Sequence, residues 1–148
     1  MAWTSWLTAN TITKFDNDEV VMDINHLISL SPLHGVLGDY GRIVHHGSEA
    51  LLFKNFNVSG TATAIEALIH VDRASRIQDK VIQLYNGSSL VGKNRADLTA
   101  VNKWTYSWTN ISYSLSSDFG LVIDYQPNVS IPSSERLIIR TVSLRFDI

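Results

Sequence analysis

The sequence predicts an all-β protein: an antiparallel β-sandwich, jelly-roll-like, with an irregular N-terminal arm or loop. Three observations predict it. Apolar and polar residues alternate with period two, turn residues recur about every 8–12 positions, and an Asn-Gly pair separates two strand-like runs.

The first part of the chain carries the weakest pattern. Val20 to Leu30 holds Val20, Met22, Ile24 and Ile28 with polar interruptions, which fits one strand or a short helix. Gly35, Gly38, Gly41 and Gly47 make Pro32 to Gly47 a long loop or an irregular hairpin. Alternation is clear from there on. Ile65, Ala67, Ile69 and Val71 oppose Glu66, Leu68 and His70, and Leu68 in the polar set predicts a strand covered on both sides. Lys80 to Tyr85 forms the next strand and stops at Asn86-Gly87. That pair supplies the positive φ angles of a type I′ turn, with Ser88 to Gly92 opening the return strand. Leu121 to Tyr125 is entered through Phe119-Gly120, and Pro127 and Pro132 bracket the loop to the last strand. In that strand Val142, Leu144, Phe146 and Ile148 share one face, and Thr141, Ser143, Arg145 and Asp147 the other. No repeat or linker interrupts the pattern. Residues 1–148 are therefore read as one domain, with 1–47 as arm and long loop and 48–148 as the sandwich proper.

The totals exclude several function classes. A chain of 148 residues can bury a sizeable core without staples. Twelve basic against fourteen acidic residues, scattered along the chain, leave no basic patch to displace phosphate counterions, so no nucleic-acid partner is expected. The absence of cysteine rules out disulfides, thiolate catalysis and Cys-based zinc sites. The N-terminus has no signal-peptide pattern and no stretch has the length of a membrane-spanning helix, so synthesis in the cytoplasm without membrane insertion is expected.

Candidate chemistry is sparse. His26, His34, His45, His46 and His70 show no ligand spacing, and adjacent strand residues such as His45 and His46 point to opposite faces. No serine sits in a Gly-x-Ser-x-Gly elbow, and no phosphate-binding glycine motif is present. Asp118 and Asp124 read as a turn cap and an interruption of an apolar run rather than as a catalytic pair. No catalytic residue, metal site or cofactor is expected, and the protein is read as non-enzymatic. Asn57, Asn86, Asn110 and Asn128 each head an Asn-x-Ser sequon, which fits turn chemistry better than glycosylation in a chain without a secretion signal. The aromatic residues carry more information. Trp104, Tyr106 and Trp108 fall on one strand face, as core if turned inward or as a stacking platform for sugars if exposed. Trp3 and Trp6, with Leu33, Val36, Leu37 and Tyr40 of the long loop, are the expected contacts with another subunit.

An ordered set of motifs runs through the second half. It comprises Leu52 to Val58, Ile65 to Val71, Ile77-Gln78-Asp79-Lys80-Val81-Ile82-Gln83-Leu84-Tyr85, Gly92-Lys93-Asn94-Arg95-Ala96-Asp97, and Asp118 to Ile123. This order resembles a β-sandwich module of tailed-bacteriophage structural proteins, of the capsid decoration (cement) or tail-fibre type. The resemblance covers residues 50–148. It departs from the module at Lys103 to Asn110, where relatives carry Gly-Gly and Leu-Trp-Gly. The resemblance implies a virion protein on the outer capsid surface, a homo-oligomer (a trimer favoured) bound to the major capsid protein. The alternative it implies is a receptor- or carbohydrate-binding module of a tail fibre.

Overall fold

The structure is a computed structural model that describes residues 2–16, 19–22, 28–29, 34–37, 49–73, 80–125 and 137–148. These residues form fourteen strands: β1 (Leu7–Thr8), β2 (Thr11–Asp16), β3 (Glu19–Met22), β4 (Ile28–Ser29), β5 (His34–Leu37), β6 (Glu49–Lys54), β7 (Gly60–Ala62), β8 (Ala64–Arg73), β9 (Lys80–Tyr85), β10 (Leu90–Arg95), β11 (Lys103–Trp108), β12 (Tyr113–Leu115), β13 (Gly120–Tyr125) and β14 (Leu137–Asp147). Sheet I runs β11-β8-β14-β5-β4, with β1 on β14; sheet II runs β10-β9-β13-β6-β2-β3. A short third ladder pairs β12 with β7.

Strand order identifies the architecture. Consecutive strands form the pairs β5/β6, β8/β9, β10/β11 and β13/β14, and each pair splits between the two sheets. The matching orders β11-β8-β14-β5 and β10-β9-β13-β6 place the members of each pair at equivalent positions in the two sheets. Neighbours within each sheet are antiparallel. That is the jelly roll, two Greek keys wound into one sandwich.

Alternation builds the core. Ile65, Ala67, Ile69 and Val71 of β8 and Val142, Leu144 and Phe146 of β14 point inward from sheet I. They meet Leu51, Phe53, Ile82, Leu84, Leu121 and Ile123 of sheet II, all fully buried. Each such side chain contributes about 1.5–3 kcal/mol relative to exposure, so this one layer carries most of the fold's apolar stabilisation. Phe146 is its pivot, edge-on to Phe119 at 6.0 Å and to Phe56 at 6.3 Å between ring centroids. A register shift between Ile139 and Thr141 lets Ile139 and Val142, three apart, both face inward. Ile148, expected to continue the apolar face of β14, ends beyond the core at the exposed end of the strand.

The two outer faces differ. On sheet II, Thr13, Ala50, Leu52 and Val122 are buried, so this face is covered as well. On sheet I, Leu68 is half-buried, so the expected cover on both sides of β8 is met only in part. Among the described residues, the outer face of sheet I is the more open of the two.

Three further sequence expectations change. The stretch from Pro32 to Gly47, expected as loop or irregular hairpin, contains β5, because Gly35, Val36 and Leu37 take a place in the ladder beside Ile139, Ile138 and Leu137. Val20 to Leu30 yields β3 and β4 in different sheets rather than one continuous element. Asn86-Gly87 also does not make a two-residue turn. Tyr85 pairs with Leu90, and Asn86 Oδ1 accepts the backbone N–H groups of Ser88 and Ser89 at 3.0 and 2.9 Å, which widens the turn to four residues.

Candidate functional site

The N-terminal residues build one side of the open face. Ala2 and Ile148 exchange backbone hydrogen bonds at 3.0 and 3.1 Å, and Thr4 N–H donates to Phe146 O at 2.8 Å. Thr4 Oγ1 in turn accepts the Phe146 N–H at 3.1 Å. Leu7 and Thr8 then pair with Leu144 and Ser143. The chain crosses at Ala9-Asn10 to enter sheet II beside β6, where Thr11 pairs with Lys54. Residues 2–16 are thus stitched into both sheets of their own chain.

This course sets Trp3 and Trp6 around Arg145. The guanidinium carbon lies 4.9 Å from the ring centroid of each indole. Arg145 is also opposite Glu66 in the β14–β8 ladder, and its Nε and Nη2 donate to Glu66 Oε1 at 2.8 and 2.5 Å. The carboxylate fixes the fork, both indoles lie within cation–π range of it, and the attraction adds about 0.5–1 kcal/mol per ring at an exposed site. Both rings still present much of their surface, Trp3 at 42% and Trp6 at 39%. Hydroxyl-bearing residues occupy other positions of the same sheet. Thr8 Oγ1 and Ser143 Oγ are 3.1 Å apart, and Thr105 and Ser107 stand exposed on β11, opposite Leu68 and Glu66. The face therefore joins two rigid apolar rings to a polar, charge-balanced surround.

The other aromatic residues go inward, which corrects the platform reading. Trp104, Tyr106 and Trp108 pair with Ile69, Ala67 and Ile65, all core residues, and cross-strand partners share a face. Trp108 is 7% exposed, and its indole N–H donates to Gly92 O at 2.6 Å. Trp104 Nε1–H donates to Ala100 O at 3.1 Å. Tyr106 is half-buried, and its hydroxyl pKa is pushed up to about 12, first by burial and then by the negative charge of Asp97. The segment after β10 closes over this end. Buried Lys80 donates from Nζ to Asp97 O at 2.5 Å, and Leu98 is fully buried with a φ of 47°. A left-handed leucine costs about 1–2 kcal/mol, offset here by burial of its side chain.

Of the expected contact residues, Trp3 and Trp6 are brought together. Val36 and Leu37 lie in β5 against Ile138 and Leu137, away from the β1 end of β14. Leu33 and Tyr40 fall outside the described residues. Asp118 sits in the turn before β13, 3.5 Å from Lys54 Nζ, while Asp124 lies on the outer face of sheet II. Lys54 and Asp118, with Thr11, Asn55 and Ser117, line an open polar recess of about 250 Å³ that has no aromatic wall. Among the described residues no three His, Asp or Glu side chains come together as metal ligands. Asn57 and Asn110 adopt φ of 55° and 54°, and Asn86 caps its turn, so three of the four sequon asparagines have a local backbone role.

Arg145 and Glu66 carry the site, and neither was singled out from the sequence. Their signal was faint: one Arg on a strand face otherwise made of hydroxyls and Asp147, and one Glu on a face shared with Leu68 and His70. Only the ladder register shows that they are opposite.

No protein-family model matches this chain, and no curated protein matches it. Among solved structures it is similar to the CBM36-1 domain of a multidomain xylanase from the hindgut metagenome of Trinervitermes trinervoides. The TM-score is 0.39 with 10% identity, over 99% of this chain and 98% of that one. At that level of similarity the fold rests on this chain's own strand order.

Proposed function

We propose that this protein is a non-enzymatic binding domain of a tailed-phage particle, held to the major capsid protein on the outer shell as a decoration (cement) protein. The observation that carries the reading is the pair of indoles clamped around Arg145 on the open face of sheet I. Tryptophan and arginine dominate the energetics of protein interfaces, and here the ion pair to Glu66 has already restricted their rotamers. The virion setting comes from the motif order in residues 50–148. Binding is by shape-complementary burial of about 1,600 Å² per contact, with avidity from repetition in a trimer.

Quantitative mass spectrometry of purified particles tests this reading. Copies comparable to the shell protein support it, and absence from particles overturns it. Trp3→Ala/Trp6→Ala should then lower occupancy on pre-formed shells, while Trp104→Phe should leave it unchanged.

A second reading, saccharide binding in a fibre, is favoured by the exposed rings of Trp3 and Trp6 on a sheet that also carries the exposed hydroxyls of Thr105 and Ser107. Exposed indole rings suit the apolar face of a pyranose, and hydroxyls on the same sheet suit its polar rim. A glycan array without hits, or hits that survive Trp3→Ala/Trp6→Ala, would exclude it.

A further inference from the structure

The turn between β9 and β10 carries chemistry that the binding surface does not use. Asn86 Oδ1 accepts the N–H groups of Ser88 at 3.0 Å and Ser89 at 2.9 Å, and the Ser88 hydroxyl at 3.0 Å. Gly87 follows it, exposed and at a φ of 98°. The nearest atoms to the place a side chain would occupy are Asp118 Cβ and Ser116 Oγ, both 3.8 Å away. We propose that Asn86 is a site of spontaneous deamidation whose turn is built to favour it, converting the carboxamide to a carboxylate with water as the only co-reactant.

The Gly87 nitrogen loses its proton to solvent base and attacks Asn86 Cγ, placing negative charge on Oδ1. Nδ2 takes up a proton and leaves as ammonia, closing a succinimide; water then opens the ring to aspartate or isoaspartate. Donors already aimed at the oxygen where charge develops lower that barrier, as in an oxyanion hole. The absence of a Gly87 side chain leaves the attacking nitrogen unhindered. Asn57 and Asn110 are followed by Val58 and Ile111, whose branched side chains crowd the corresponding nitrogen.

The two products differ in consequence. Aspartate at 86 keeps the cap, since a carboxylate accepts the same two N–H groups more strongly than an amide does. Isoaspartate adds a backbone atom inside a four-residue turn and disturbs the Tyr85–Leu90 pairing. Both place a new negative charge on the turn that faces Asp118, whose carboxylate is held by Lys54 at 3.5 Å.

The test is peptide-mass mapping of the full chain during incubation at mildly alkaline pH, native and in urea. Asn86 should lose its amide about tenfold faster than Asn57 or Asn110 in the same native molecule, equivalent to about 1.4 kcal/mol of barrier. It should react at least as fast in the native state as in urea. Asn86→Asp should unfold at or above the wild-type temperature, and an aged sample should contain a less stable isoaspartyl fraction. Slower reaction in the native state than in urea would mean that the turn protects Asn86, and would overturn the proposal. So would a native rate no higher than that of Asn57 and Asn110.

Discussion

Replacing Arg145 tests the clamp directly. Arg145→Ala removes a guanidinium stacked at 4.9 Å on two indoles and donating twice to Glu66. Two cation–π contacts at exposed sites are worth about 0.5–1 kcal/mol each. The ion pair, with both side chains about one-third exposed, adds at most about 1 kcal/mol after solvent screening. The expected loss is therefore about 2 kcal/mol, or about 4–8 °C in melting temperature for a domain of this size. Arg145→Lys keeps the charge but loses the planar stack and the fork, so it should recover less than half of that loss. Thermal unfolding followed by circular dichroism measures stability, and tryptophan emission reports the ring environment. The decisive assay is the double-mutant cycle of Arg145→Ala with Trp6→Ala, where a coupling of about 0.5–1 kcal/mol is expected. Additive losses, or an Arg145→Ala variant as stable as wild type, would refute the clamp and remove the reason for the rings' fixed orientation.

Other positions give independent checks. Gly92 has a φ of 65°, and a Cβ there would come within 2.7 Å of Trp108 Nε1; Gly92→Ala should cost about 2–4 kcal/mol, read as a lower urea midpoint, and an unchanged midpoint would contradict the packing described. Thr13 Oγ1 is buried without a partner among the described residues, so Thr13→Val should be neutral or stabilising by up to about 1 kcal/mol in the same assay, and a clear loss would show that the hydroxyl is satisfied in solution. Tyr106 ionises near 12 in the folded state against 10.0 ordinarily, so the folded form holds its proton more tightly than the unfolded one. Its contribution is complete below about pH 10 and is lost as the pH rises towards 12. Tyr106→Phe should flatten the decline of stability over that window, and an identical decline would assign it to other groups.

Much of the fold was legible in the chain. The alternation in residues 65–71, 80–85, 121–125 and 141–147 identified four strands and the inward faces of β8 and β14, because pleating ties side-chain direction to sequence parity. The turn at 86–89 was located but mistyped, since the Asn86 side chain competes with the backbone for the N–H groups of Ser88 and Ser89. The strand at 34–37 was hidden by glycines and is held by its partner β14 rather than by its own propensity.

By itself the sequence determined an all-β class, the inward faces of β8 and β14, the lack of thiol chemistry, and two tryptophans near the N-terminus in need of a partner. Tertiary structure alone decided which aromatic residues face solvent. Trp104, Tyr106 and Trp108 share one strand face, and strand parity cannot say whether that face is inner or outer until β11 takes its register on β8. Arg145, Glu66, Trp3 and Trp6 are likewise far apart in the chain, and they meet because the ladder sets residue 145 opposite 66 while the N-terminal segment returns along β14. A site assembled from such distant residues has no local pattern, so it appears only once the sheets are paired.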